Sequence, residues 1–231
     1  MGYPTRRSEL VFRLNQRRLR VEAIRGRPRG SVRAASRVAE RVVALSYDDG
    51  PSPRNTPELL QILAAAGARA TFFAVGTEVA RHPELVSRIA DSGSEVANHS
   101  YSHRDFRDLD EGEIRAEIES CAEAITAAGV SARLFRPPFG KRPEDSARIC
   151  RTIGLNCVLW SLDSGDTMPF TAAQIEHEVV NGVKPGDIVL LHDGGDRRQR
   201  TIDASRGILR ELGARGYRFL TVSELLGLPD S

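Results

Sequence analysis

Two periods alternate along the chain. Apolar runs at 42–47, 70–75, 95–98, 134–136, 157–160, 188–192 and 218–220 read as short strands, most of them too continuously apolar for one face to meet water. Between them, stretches at 56–66, 83–90, 111–128, 143–153, 172–181 and 205–212 carry apolar residues at helical spacing. Pro57 follows Thr56 at the start of the first, which predicts Thr56 as its cap, and Gly67 and Gly93 close the first two. Strand and helix in strict alternation predict an α/β fold with a parallel sheet under helices. Roughly seven such units in about 190 residues predict a distorted (β/α) barrel, closed or nearly so.

The polar residues that interrupt this pattern fall at one kind of place. Asp48-Asp49, His99, Arg136, Asp163 and His192 each stand at or just beyond the end of a predicted strand. In a parallel barrel all strand C-termini open on the same face, so these distant groups are expected to converge. Taken singly they say little. Asp-Asp-Gly-Pro is an ordinary turn sequence, and two His four apart, His99 and His103, are as compatible with coincidence as with a shared metal. Of the five histidines, His82 and His177 fall in helical surface settings, and the other three gather at the predicted sheet edge.

Composition adds boundaries. With 231 residues, 40% hydrophobic and 28% charged, the chain is an ordinary globular one with room for one substantial core. Residues 1–40 are read as a basic arm and 41–231 as the main domain. Residues 1–41 hold twelve Arg against three acids, an excess of nine positive charges, so the net +2 leaves the remainder at −7. Arg supplies 31 of 33 basic residues throughout, which points to a general compositional bias. The arm carries no nucleic-acid reading motif, so a nucleic-acid partner is not expected. A weak helical pattern near Leu10–Leu19 breaks at Gly26, Pro28 and Gly30. Cys121, Cys150 and Cys157 are too few for a disulfide framework and are expected as buried thiols. No run of about 18 apolar residues predicts a membrane span, and no apolar leader is seen, so a cytoplasmic location is expected.

Five ordered motifs from about Arg41 to Leu226 together resemble the polysaccharide deacetylases, also called carbohydrate esterase family 4 or the NodB homology domain: Ser46-Tyr47-Asp48-Asp49-Gly50-Pro51, His99-Ser100-Tyr101-Ser102-His103, Arg136-Pro137-Pro138-Phe139-Gly140, Asp163-Ser164-Gly165-Asp166 and Leu190-Leu191-His192. The resemblance implies a distorted barrel of fewer than eight units. It implies Asp48 as catalytic base, Asp49, His99 and His103 as ligands of one divalent metal, and Arg136 as the group that orients the base. It further implies that the Phe139 N–H binds the oxyanion, that Asp163 supports His192 as catalytic acid, and that Leu190 lines the acetyl pocket. Thr167 stands where the family usually has Trp, a departure that gives little support for a long stacking groove.

The implied reaction is hydrolysis of an N-acetyl amide on an amino sugar, releasing acetate and a free amine. The metal is expected to be Zn2+, with Co2+, Mn2+ or Ni2+ as alternatives. The substrate is expected to be an N-acetylated sugar, either a glycan or an intracellular amino-sugar conjugate or small biosynthetic intermediate, since low aromatic content (6%) gives little for a long stacking groove. An amidohydrolase of the same fold acting on a non-sugar C–N bond is the nearest alternative. A non-catalytic binding module with a basic arm is the alternative of another class. Oligomeric state is left open.

Overall fold

The computed structural model describes residues 39–195 and 198–228. The predicted arm lies almost wholly outside the described residues. Eight strands form one parallel sheet: β1 (Val42–Asp48), β2 (Thr71–Ala74), β3 (Glu95–Asn98), β4 (Leu134–Phe135), β5 (Asn156–Cys157), β6 (Leu162–Asp163), β7 (Ile188–His192) and β8 (Arg218–Phe219). Seven run in the order β5-β4-β3-β2-β1-β7-β6, and β8 pairs with the first residues of β1. The sheet curls into the distorted barrel that the alternation predicts. Helices α1 (Thr56–Ala65), α2 (Gly76–Arg81), α3 (Pro83–Asp91), α4 (Glu111–Ala127), α5 (Pro143–Thr152), α6 (Ala172–Gly182), α7 (Gln199–Ala214) and α8 (Val222–Leu225) accompany it.

The central strand β1 is buried along its whole length, as a strand covered on both faces must be. Its period of two separates the faces. Val43, Leu45 and Tyr47 join Phe72, Val189 and Leu191 in the cluster under the helices. Val42 and Ala44 join Phe73, Ala97 and Ile188 in the barrel interior. Ser46 and Asp48 continue that inner row, so strand geometry alone turns Asp48 inward. The same count on β7 sends Leu190 and His192 inward, and Asp48 stands directly opposite His192 in the β1–β7 ladder.

Local sequence fixes the ends. Asp110 and Glu113 form a reciprocal capping box on α4, and Thr171 and Gln174 another on α6. The expected cap of α1 is displaced by one residue: Asn55 is the cap position, and the Thr56 hydroxyl is drawn off to the Asp193 carboxylate. Helix α2 and strand β6 were not separable by periodicity, being six and two residues long. Strand β5 is also shorter than the apolar run 157–160 predicts, and Trp160 lies beyond it. The α7 helix begins at Gln199, before the predicted 205. All three cysteines are free and buried. Among the described residues no helix is long and apolar enough to cross a membrane.

Candidate active site

The strand ends deliver their polar groups to one edge of the barrel. Asp48 is 3% exposed and receives Nη1 of Arg136 at 2.6 Å. Arg136 is itself fully buried, with its guanidinium 3.8 Å from the centre of the Phe73 ring. Nη1 also reaches Ser46 Oγ at 3.0 Å, and Nη2 the Leu159 carbonyl at 3.3 Å. Burial works to strip the guanidinium of its proton, and the Asp48 carboxylate beside it opposes that.

Asp49 follows with φ at +76°, outside the strand conformation, and this turn takes its side chain away from that of Asp48. Its Oδ1 lies 3.1 Å from His103 Nε2 and 3.5 Å from His99 Nε2. Burial alone would raise the Asp49 carboxyl, but the neighbouring imidazoles of His103 and His99 hold it well below the usual range. His99 is buried, and its Nδ1–H donates to the Arg136 carbonyl at 2.8 Å. A carbonyl only accepts, so Nδ1 carries the proton and Nε2 presents its lone pair toward Asp49.

The loop that carries His103 is held from three sides. Asn98 Oδ1 accepts the Ser100 N–H, and Ser100 Oγ accepts the His103 N–H. From α4, Glu117 accepts the N–H groups of Tyr101 and Ser102 at 3.0 and 2.8 Å. His103 itself sits at φ +57°. Its ring meets the edge of Phe139, whose centre is 4.8 Å away. Phe139, at φ +56°, is 56% exposed at the mouth of the site, the one large exposed hydrophobic residue among those described.

The three ligand atoms of Asp49, His99 and His103 lie within 4.8 Å of one another. Donors held about 2.0–2.1 Å from a tetrahedral ion stand about 3.3–3.4 Å apart, close to the two Asp49 separations of 3.1 and 3.5 Å. Two imidazoles and one carboxylate, with one histidine's tautomer fixed from behind, are a donor set that suits a divalent transition metal.

On the opposite side stands His192, 14% exposed. Its ring partner corrects the expectation from the motifs. The carboxylate at 2.8 Å from Nδ1 belongs to Asp166, not Asp163. The strand β6 ends at Asp163, whose Oδ1 turns back to accept the Gly165 N–H at 2.9 Å. Gly165, at φ +72°, then reverses the chain and brings Asp166 beneath His192. Asp166 also accepts the His192 backbone N–H and the Thr201 hydroxyl. Burial disfavours the imidazolium, but Asp166, then Asp48 and Asp49, outweigh it and raise His192 to about 9. Asp163 is pushed up to about 6, chiefly by burial. Leu190 is buried on the inner face, paired in register with Ser46 and Asp163.

Two charged residues beside the site were missed. Asp193 is fully buried under the Gly50–Thr56 loop, and burial raises it to about 7. It follows the predicted strand-end His192, and a carboxylate in that place was the available signal. Arg198 lies 3.9 Å from Asp49 Oδ2. In a chain whose basic residues are nearly all Arg, nothing in its own identity marks it.

Residues 35–158 match the family model described as "Polysaccharide deacetylase". Over 189 residues the chain is 38% identical to a peptidoglycan-N-acetylglucosamine deacetylase of Bacillus cereus, across 81% of this chain and 89% of that one. The crystal structure of the Bc1960 peptidoglycan N-acetylglucosamine deacetylase superposes with a TM-score of 0.79 at 30% identity, covering 83% of this chain and 91% of that one. The BA3943 pseudoenzyme of Bacillus anthracis, of carbohydrate esterase family 4, superposes equally well, TM-score 0.79 at 26% identity, over 86% of this chain and 70% of that one. Likeness of fold thus reaches both active and inactive relatives, and what chemistry a member performs depends on the residues at the strand ends.

Proposed function

Because the chain belongs to the polysaccharide deacetylase family, we propose that it hydrolyses the N-acetyl group of N-acetylglucosamine residues in a glycan, with the roles divided among the side chains at the strand ends. The observation that carries this is the pairing of two adjacent carboxylates with different surroundings. Asp49 faces two imidazoles and Asp48 faces a buried guanidinium.

In this reading Asp49, His99 and His103 hold one divalent cation, Zn2+ first on the chemistry of two nitrogen donors and one carboxylate. Bound there, such an ion supplies Lewis acidity toward an amide carbonyl and acidifies water. Asp48, paired with the Arg136 guanidinium, takes the proton of the attacking water. The Phe139 N–H donates to the developing oxyanion, and its exposed ring offers the sugar an apolar edge at the mouth. His192, held as imidazolium by Asp166, gives its proton to the departing nitrogen. Leu190 supplies an apolar wall for the acetyl methyl. Asp163, raised by burial, accepts the Gly165 N–H, while the carboxylate on His192 Nδ1 is that of Asp166.

The name of the Bacillus cereus relative supports N-acetylglucosamine as the sugar. Three free buried thiols favour a reducing compartment, and the cytoplasmic placement is part of this proposal. The experiment is a screen of the zinc-loaded protein against chitooligosaccharides, peptidoglycan fragments, monomeric N-acetylated sugars and non-sugar acetamides, with acetate and free amine both measured. Release from glucosamine-type substrates alone supports the proposal. Release confined to non-sugar amides would replace it with the amidohydrolase reading, and no release from any would favour a pseudoenzyme.

A further inference from the structure

Arg198 has no part in the roles above, yet it is tied to the cation site from two directions. It is the residue before α7, on the connection that leaves β7. Its Nε donates to the Gly194 carbonyl at 2.8 Å, and its Nη2 lies 3.9 Å from Oδ2 of Asp49. The two oxygens of Asp49 therefore have separate surroundings: Oδ1 faces His99 and His103, and Oδ2 faces the guanidinium. Gly194 backs the same residue. Any side chain at 194 would overlap the Asp49 backbone, and the Gly194 N–H donates to the Asp48 carbonyl at 3.2 Å. Arg198 is thus anchored to the very segment against which Asp49 rests.

We propose that Arg198 is the positioning residue of Asp49, turning the carboxylate so that it offers Oδ1 alone to a divalent cation. The two carboxylates then each have a guanidinium: Arg136 for Asp48, and Arg198 for Asp49. A carboxylate with both oxygens free can swing to bind through either or both, and fixing one oxygen removes that freedom. Outer partners of metal ligands are typically worth 10–100-fold in metal affinity. The inference rests on the metal reading proposed above. The rival role for an arginine at this rim, 22% exposed, is to meet an anionic group on the substrate.

The test compares the wild-type chain with Arg198→Ala and Arg198→Lys. Zn2+ and Co2+ affinities are measured by competition with a chromophoric chelator, together with the visible spectrum of the Co2+ form, the melting of the metal-free protein, and KM. The expected result for Arg198→Ala is a metal Kd raised about tenfold or more. The Co2+ bands should also change, with metal-free melting near wild type. Arg198→Lys, which keeps the charge without the planar fork, should fall between, and it decides the matter if the alanine variant does not fold. A Kd within twofold of wild type or lower overturns the inference, and a raised KM alongside it assigns Arg198 to the substrate. Wild-type protein that binds neither ion overturns the metal reading and this inference with it.

Discussion

Nδ1 of His192 lies 2.8 Å from Oδ1 of Asp166, and the other oxygen of that carboxylate takes the backbone N–H of the same histidine. The ring is thus oriented by one residue, which together with Asp48 and Asp49 keeps it charged. A histidine raised to about 9 stays an acid through neutral pH, and the activity it supports is lost as pH rises through about 9. Asp166→Asn is expected to move the alkaline limb of the pH–rate profile toward lower pH and to reduce kcat by roughly 10²–10⁴-fold. Asp163→Asn is expected to leave that limb in place. The reverse pattern, with the limb following position 163, would restore the assignment that the motifs suggested.

Asp48 and Asp49 are adjacent in sequence and opposite in expected consequence. Asp48→Asn removes the proton acceptor while Asp49, His99 and His103 remain, so metal content should hold and most turnover should vanish. His99→Ala takes a ligand out of a three-donor set and should empty the site, as elemental analysis reads directly. Stoichiometric metal in the His99 variant would sink the ligand assignment, and a fully active Asp48 variant the base assignment.

The Arg136–Asp48 pair is 0% and 4% exposed, so its loss is a matter of stability as well as rate. Arg136→Met leaves Asp48 buried without its counter-ion, which typically costs about 3–5 kcal/mol. Chemical denaturation should show that loss, and the double variant Arg136→Met with Asp48→Leu should recover much of it, since two apolar residues leave no buried charge. A single variant as stable as wild type would mean that Asp48 finds another partner or takes up a proton.

What could be read in the sequence follows from which properties are periodic. The inward row Ala44, Ser46, Asp48 is set by strand alternation, and the convergence of Asp48, His99, Arg136 and His192 follows from parallel strands ending on one face. The Asp163–Asp166 exchange was not legible, because strand period stops at Asp163 and the direction of the next carboxylate depends on a glycine reversal at 165. Asp193 and Arg198 lie on a connection after β7, where neither period applies and only contact across the chain reveals a role.

Asp193 supplies the last prediction. Its carboxyl is fully buried, accepts the Thr56 hydroxyl on Oδ2, and has no hydrogen-bond partner on Oδ1. Burial raises it from 3.8 to about 7, so the folded state prefers the proton. The sign follows: below the unfolded value both states are protonated and the group costs nothing. As pH rises from about 4 to 7 the unfolded chain ionises first, and stability falls until the folded group ionises as well. Asp193→Asn keeps an acceptor for Thr56 and removes the ionisation. In metal-free protein it is therefore expected to melt higher than wild type at pH 8, by a margin of at most a few kcal/mol, about 1.4 for each pKa unit. The margin should shrink toward zero near pH 4. A variant destabilised equally at both pH values would mean that position 193 matters for packing under Gly50 and not for its charge.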